Sequence, residues 1–189
     1  MTRASRAAAT ILAVATLQAG AVLVYRRVER AREARPTAGS FRHERLVPRP
    51  APDVQLLAAN GSRGRLSDYR GRPVLLHFWA TWCPPCKAEL PALLALGREL
   101  DREGGARVVA LATDPDWDSV GRFFGGAIPS EVVRGEADDV AKDFEVSVLP
   151  DTYLVGADGR LLQRFGGARD WSSDAARALL REAAREQAP

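Results

Sequence analysis

Two kinds of apolar pattern divide the chain. Ala7 to Tyr25 is a run of 19 residues without a charge, with Arg3 and Arg6 before it and Arg26-Arg27 after it. From Ala51 onward, short apolar runs alternate with amphipathic stretches. Pro73–Trp79 is mostly apolar, as a strand buried on both faces is. Pro84 to about Glu103 has helical spacing, with Pro91 inside it as a predicted kink and Gly104-Gly105 as its stop. Arg107–Thr113 reads as a second buried strand, and Asp116–Phe124 as a helix with Trp117, Val120, Phe123 and Phe124 on one side. Asp53–Leu57 and Glu131–Arg134 read as short strands, Leu66–Tyr69 as a helical turn and Ala137–Phe144 as a helix. Thr152–Val155 and Arg160–Phe165 form a hairpin through Ala157-Asp158-Gly159. Ser172–Glu186 is a terminal helix with Ser172 or Ser173 as N-cap. Strands that alternate with helices, then close on a hairpin and a helix, predict an α/β layered domain over residues 51–189. Residues 26–50, rich in Arg, Pro and Glu without apolar periodicity, read as a linker.

The N-terminal run is close to the length a bilayer-spanning helix needs. It is Ala-rich and holds Thr10, Thr16 and Gln18, so its hydrophobicity is moderate. The preferred reading is a signal-anchor over residues 1–25, a single pass through the inner membrane with the domain on the periplasmic side. A cleaved signal peptide, with Ala19-Gly20-Ala21 as a small-residue cleavage site, and a buried or cytosolic helix are the alternatives. Arg26, Arg27, Arg30, Arg32 and Arg35 outnumber the basic groups before the run, which by positive-inside counting alone keeps the domain in the cytoplasm. Long domains translocate with little regard to flanking charge, and export is the reading kept. No cysteine follows the run closely, which excludes a lipid-modified N-terminal cysteine.

Composition narrows the chemistry. The 189 residues, 46% of them hydrophobic, have room for one core and appendages. The net charge of +3 hides an asymmetry: residues 1–50 carry ten Arg against three Glu, and the rest carries 17 basic against 21 acidic residues. The basic character belongs to the N-terminal segment, and no basic stripe marks a nucleic-acid partner in the globular part. Two cysteines and two histidines, His43 and His77, are too few for a disulfide scaffold or a closed zinc site. No metal and no cofactor is expected beyond the cysteine pair itself.

Both cysteines stand in Trp82-Cys83-Pro84-Pro85-Cys86, between the buried strand and the long helix. Thiols at this spacing can close a small disulfide, and a helix N-terminus favours thiolate on the first of them. The pattern predicts thiol–disulfide exchange. The alternative, an inert bridge, gains little stability from closing so small a loop.

The order of strand, Trp-Cys-x-x-Cys-Lys, Pro-bearing helix and a later X-Pro-x-Thr strand start resembles the thioredoxin superfamily. Leu75-His77-Phe78-Trp79-Ala80-Thr81-Trp82-Cys83-Pro84-Pro85-Cys86 resembles its membrane-anchored TlpA/ResA/CcmG branch, as do Ala51-Pro52-Asp53, Leu66-Ser67-Asp68 and Arg70-Gly71-Arg72. The resemblance implies a three-layer thioredoxin-like fold, a mixed sheet between helices, with a branch-specific strand-and-helix insertion placed around Asp114–Val140. It implies that Cys83 is an exposed nucleophile of lowered pKa and that the more buried Cys86 resolves the mixed disulfide. Leu149-Pro150-Asp151-Thr152 resembles the family's cis-proline loop, so Pro150 is expected in cis and the Leu149 backbone is expected to pair with an extended substrate. Asp151 is read as a substrate-tuning or a solvated residue.

His77 falls where thioredoxins carry a buried acid and where this branch often has Asn. It is read as a satisfied core histidine, with proton acceptance from Cys86 as the alternative. Glu89, one turn beyond Cys86, is read as part of a solvated helix face, with tuning of proton transfer as the alternative. Pro84 stands where some relatives carry an acid between the cysteines. Trp79 is a core candidate and Trp82 a cover on the active-site surface. The implied partners are exported proteins with disulfides or thiols, such as apocytochrome c or copper-site cysteines, and a membrane electron donor of the thiol–disulfide type. Pro84-Pro85 does not place the pair between a reductant near about −270 mV and an oxidant near about −120 mV. A peroxiredoxin would need Thr-x-x-Cys, and Thr81-Trp82-Cys83 has the wrong spacing. A copper metallochaperone of the Sco type would need a wider cysteine spacing and a distal His, and a holdase would not need Cys83.

Overall fold

The computed structural model describes residues 18, 20, 41, 43–135 and 140–187. The chain divides into two compact units, 1–34 and 35–189. In the first, only Gln18 and Gly20 are described, both helical and exposed. The predicted membrane anchor therefore lies almost wholly outside the described residues, among which no helix is long and apolar enough to cross a membrane.

The second unit is built on one eight-stranded mixed sheet. Its strands are β1 (Glu44–Pro50), β2 (Gln55–Ala58), β3 (Arg63–Arg65), β4 (Val74–Trp79), β5 (Arg107–Ala112), β6 (Val132–Gly135), β7 (Asp151–Val155) and β8 (Arg160–Gly166). They lie in the order β1-β8-β7-β4-β5-β6-β2-β3. The helices are α1 (Pro84–Arg102), α2 (Trp117–Phe123), α3 (Val140–Asp143) and α4 (Asp174–Glu186), with a 3-10 turn at Leu66–Tyr69.

Strand β4 is central because every one of its residues is buried, which requires cover on both faces. Alternation sends Leu75 and Trp79 to one core, with Leu90, Leu93 and Leu100 of α1 and Leu180 of α4. Val74, Leu76 and Phe78 go to the other, with Phe144 and Leu66. His77 has the parity of Leu75 and Trp79, so it points toward α1. Strand β4 runs parallel to β5 and antiparallel to β7.

Helix α1 lies very close on β5. A Cβ built on Gly97 would stand 2.6 Å from Val108 Cγ2 and 2.8 Å from Val108 Cβ. Gly97→Ala is therefore expected to lower stability, seen as a reduced urea midpoint. Alanine's helix preference offers about 1 kcal/mol, but forced overpacking costs about 1–3 kcal/mol, and the Cβ contact leaves only the larger cost in reach.

The linker expectation is corrected at residues 44–50, which form edge strand β1, antiparallel to β8 with Glu44 opposite Arg164 and Arg49 opposite Leu161. An edge strand with one exposed flank needs little apolar patterning and tolerates the prolines at 48 and 50. The 3-10 turn, the hairpin and the Ser173 N-cap fall where expected. The proposed insertion supplies α2 and β6, and α1 is assigned as one helix through Pro91. Of the helix expected at 137–144, the described part is α3.

Candidate active site

Cys83 is the N-cap of α1, and Pro84 and Pro85 occupy its first turn, where a missing N–H costs nothing. The cysteines are joined as a disulfide, Cα to Cα 5.3 Å. The backbone N–H of Cys86 donates to Cys83 Sγ at 3.3 Å. That amide and the helix dipole together favour negative charge on this sulfur once the disulfide opens. Cys83 keeps 4% exposure and Cys86 none. The expectation of an exposed Cys83 is corrected for the disulfide state, in which its sulfur is bonded inward to Cys86. Trp82 stands beside it with 66% of its surface exposed, and Trp79 is fully buried.

The loop that delivers Cys83 is anchored by Asp114. This buried carboxylate accepts the Thr81 backbone N–H at 3.0 Å and the Thr81 hydroxyl at 2.5 Å. Asp114 stands two residues beyond the end of β5, so the parallel pairing of β4 and β5 brings it alongside the end of β4.

The Leu149–Pro150 peptide bond is cis. Pro150 precedes β7, and antiparallel pairing with β4 sets it at the same end of the sheet as Cys83. Its carbonyl accepts the Gly167 N–H at 2.9 Å. Val148, next to Leu149, is 70% exposed, so two large apolar side chains, Val148 and Trp82, are bare in segments at this end. Asp151 is neither solvated nor aimed at the dithiol. It has the parity of Tyr153, is buried, and receives a two-pronged ion pair from Arg164 with a shortest distance of 2.6 Å. Desolvation pushes its carboxyl above the ordinary value, against the pull of Arg164.

Behind the cysteines the structure assembles a polar group that the sequence only half discloses. Glu89 is buried to 4% exposure, which corrects the solvated-face reading. Its Oε2 accepts the Arg169 backbone N–H. Its Oε1 stands 3.7 Å from His77 Nε2, and neither atom has a hydrogen-bond partner. Desolvation pushes the Glu89 carboxyl up to about 8, while the Arg169 N–H and charge pull it down. The Trp171 indole N–H pulls the same way without closing a hydrogen bond. Desolvation also pushes His77 down to about 3, so the imidazole is neutral and the pair is not an ion pair near neutral pH. His77 sits in register with Thr152, and Nδ1 lies 2.9 Å from Thr152 Oγ1. The sequence marks Thr152 only as part of the cis-proline motif, and it gives no reason to single out Arg169 or Trp171. The contact of Thr152 with His77 follows from the antiparallel register of β4 and β7, which are distant in sequence, and the other two lie in a loop whose path follows from packing.

A closed cysteine pair capping a helix, a cis-proline at the same sheet end and a mixed sheet between helices define the thioredoxin-fold class of thiol–disulfide oxidoreductases. The chain belongs to the AhpC/TSA family, whose model matches residues 47–164. It is 36% identical over 120 residues to the thiol-disulfide oxidoreductase ResA of Geobacillus kaustophilus, covering 62% of this chain and 67% of that one. It is 34% identical over 120 residues to ResA of Bacillus subtilis, covering 62% and 65%. A thiol:disulfide interchange protein of Chlorobium tepidum superposes with TM-score 0.62 at 20% identity, over 74% of this chain and 99% of that one. The exposed lipoprotein thioredoxin of Streptococcus pneumoniae superposes with TM-score 0.58 at 23% identity, over 69% and 98%. These two share the fold.

Proposed function

We propose that the protein reduces disulfides in exported proteins, cytochrome c apoproteins or similar, while tethered to the inner membrane by its N-terminal apolar run and facing the periplasm. The observation that carries the chemistry is the cysteine pair at the N-terminus of α1 with a buried carboxyl one turn behind it. The export and tether rest on the uncharged run at 7–25.

The Cys83 thiolate attacks one sulfur of the substrate disulfide and expels the other as a thiolate, leaving a mixed disulfide on Cys83. The Glu89 carboxylate takes the Cys86 thiol proton. The resulting Cys86 thiolate attacks Cys83 Sγ, breaks the mixed disulfide and releases the second substrate thiolate. The protein ends as the disulfide with Glu89 neutral, the state that burial favours here. A thiolate of a membrane dithiol donor then attacks Cys83 Sγ and expels the Cys86 thiolate, which takes the proton back from Glu89. The donor's second thiolate closes the donor disulfide and releases the Cys83 thiolate. Trp82 and the Leu149-Pro150 segment form the wall against which an extended substrate lies.

The redox state of Cys83 and Cys86 in growing cells, read by alkylation of free thiols after acid quench, tests the direction. A pool recovered mostly as dithiol is expected; one recovered mostly as disulfide would assign the same chemistry to oxidation of substrate thiols.

A further inference from the structure

The proposed exchange accounts for a carboxyl behind Cys86, and leaves unexplained why a histidine stands against it. His77 is completely buried, and neutral imidazole offers one donor and one acceptor nitrogen. One nitrogen meets Thr152 Oγ1 at 2.9 Å. The other faces Glu89 Oε1 at 3.7 Å, and both of these atoms are otherwise unpartnered. A satisfied core histidine does not leave a bare ring nitrogen opposite a bare carboxyl oxygen. Two orphaned polar atoms aimed at each other in a dry site mark a contact that a small side-chain movement closes.

We propose that His77 is a positioning residue for Glu89: in the disulfide state Nε2 accepts the proton-bearing Oε1, with Nδ1–H held on the Thr152 hydroxyl, so that Glu89 stays loaded with the proton taken from Cys86. This rests on the oxidoreductase reading and adds a partner that sets when the carboxyl charges. No proton passes to the ring. The O–H of Glu89 points at the imidazole while the disulfide is closed, and its proton returns to the Cys86 thiolate when the pair is reopened. The groups facing Glu89 sort by effect. His77 on β4, with Thr152 on β7 behind it, favours the neutral form in this tautomer. The Arg169 N–H and guanidinium and the Trp171 indole, all from the segment after β8, favour the charged form. On its own helix stands the Cys83–Cys86 disulfide, which does not titrate in this state.

The proposal fixes a direction for two different substitutions. In His77→Asn the shorter side chain withdraws the acceptor and admits water beside the carboxyl, and both effects favour the carboxylate. In Thr152→Val the cavity keeps its shape but Nδ1–H loses its acceptor. The imidazole then favours the Nε2–H tautomer, which donates to a carboxylate instead of accepting from an acid. The test is a pH titration of the Glu89 side-chain carbon by NMR on the full-length disulfide protein. The wild-type midpoint is expected near 8, and both variants are expected to lower it by about one pH unit, the scale of one hydrogen bond made or lost to one form. The acid limb of the rate of insulin reduction, where the carboxylate must be present to take the Cys86 proton, should move the same way. A midpoint unchanged in a folded variant, with only thermal stability lowered, makes His77 structural and overturns the proposal. A midpoint that rises in Thr152→Val overturns it as well, since the ring would then have been donating. If His77→Asn does not fold, Thr152→Val decides alone. A wild-type protein inactive on insulin refutes the enzyme reading separately, because the NMR midpoints require no substrate.

Discussion

Cys83→Ser is expected to abolish exchange with disulfide substrates, and Cys86→Ala is expected to keep the first step and lose the second. The two cysteines differ in exposure and in partners, and the asymmetry decides the outcome. Cys83 caps α1, receives the Cys86 N–H and keeps the pair's small remaining exposure, whereas Cys86 has none. Only the first sulfur stands where an incoming disulfide can meet a stabilised thiolate. Serine there has a hydroxyl that does not ionise near neutral pH, so insulin reduction should fall to the buffer rate. Without Cys86 the mixed disulfide on Cys83 has no internal attacker, and the protein should accumulate as covalent adducts visible on non-reducing gels. Loss of those adducts in the double variant identifies Cys83 as the bonding sulfur. Adducts that persist in Cys83→Ser would reverse the two roles.

The second large effect is a pH profile of stability set by opposed titrations of His77 and Glu89. Glu89 in the folded disulfide state holds its proton to about 8, against an ordinary 4.5. Its contribution is whole below about 4.5 and is lost as pH rises toward 8, because the unfolded chain ionises first. His77 is neutral in the fold down to about 3, against an ordinary 6.5. Its contribution is whole above 6.5 and is lost as pH falls toward 3, because the unfolded chain protonates first. Between 4.5 and 6.5 the two slopes cancel. From this pair the protein is most stable on that plateau and loses about 1.4 kcal/mol per pH unit beyond either side. By pH 8 the alkaline loss is about 2 kcal/mol. Urea denaturation of the intact disulfide form across this range reads the profile. Glu89→Gln cannot ionise, so its advantage over wild type should grow by about 1.4 kcal/mol per unit from 4.5 to 8. Parallel curves for the two proteins would show that Glu89 is not held neutral.

The catalytic pair and the sheet were legible because their signals are local. A doubly buried strand must be apolar throughout, and Val74–Trp79 is apolar except for His77. A turn or a cap is written in two or three residues, as at Ala157-Asp158-Gly159 and Ser173. Strand β1 was missed because an edge strand borrows its order from β8 and carries Arg, Glu and Pro with no periodicity. Glu89 was misread for a related reason. A carboxylate on a helix is solvated unless tertiary packing buries it, and what buries this one, His77 and the Arg169–Trp171 segment, comes from other parts of the chain. Asp151 belongs with Glu89, since Arg164 reaches it only through the pairing of β7 and β8.

The short stretch after β8 joins two tasks. Gly167 binds the carbonyl of Pro150, and Arg169, two residues on, binds the carboxyl of Glu89. One residue separates the anchor of the proposed substrate wall from the anchor of the proposed proton store. A change of length in that stretch shifts both anchors at once, so under the proposed mechanism substrate preference and the timing of proton release are inherited as a single trait, and a variant selected for a new partner is expected to carry a new pH optimum with it.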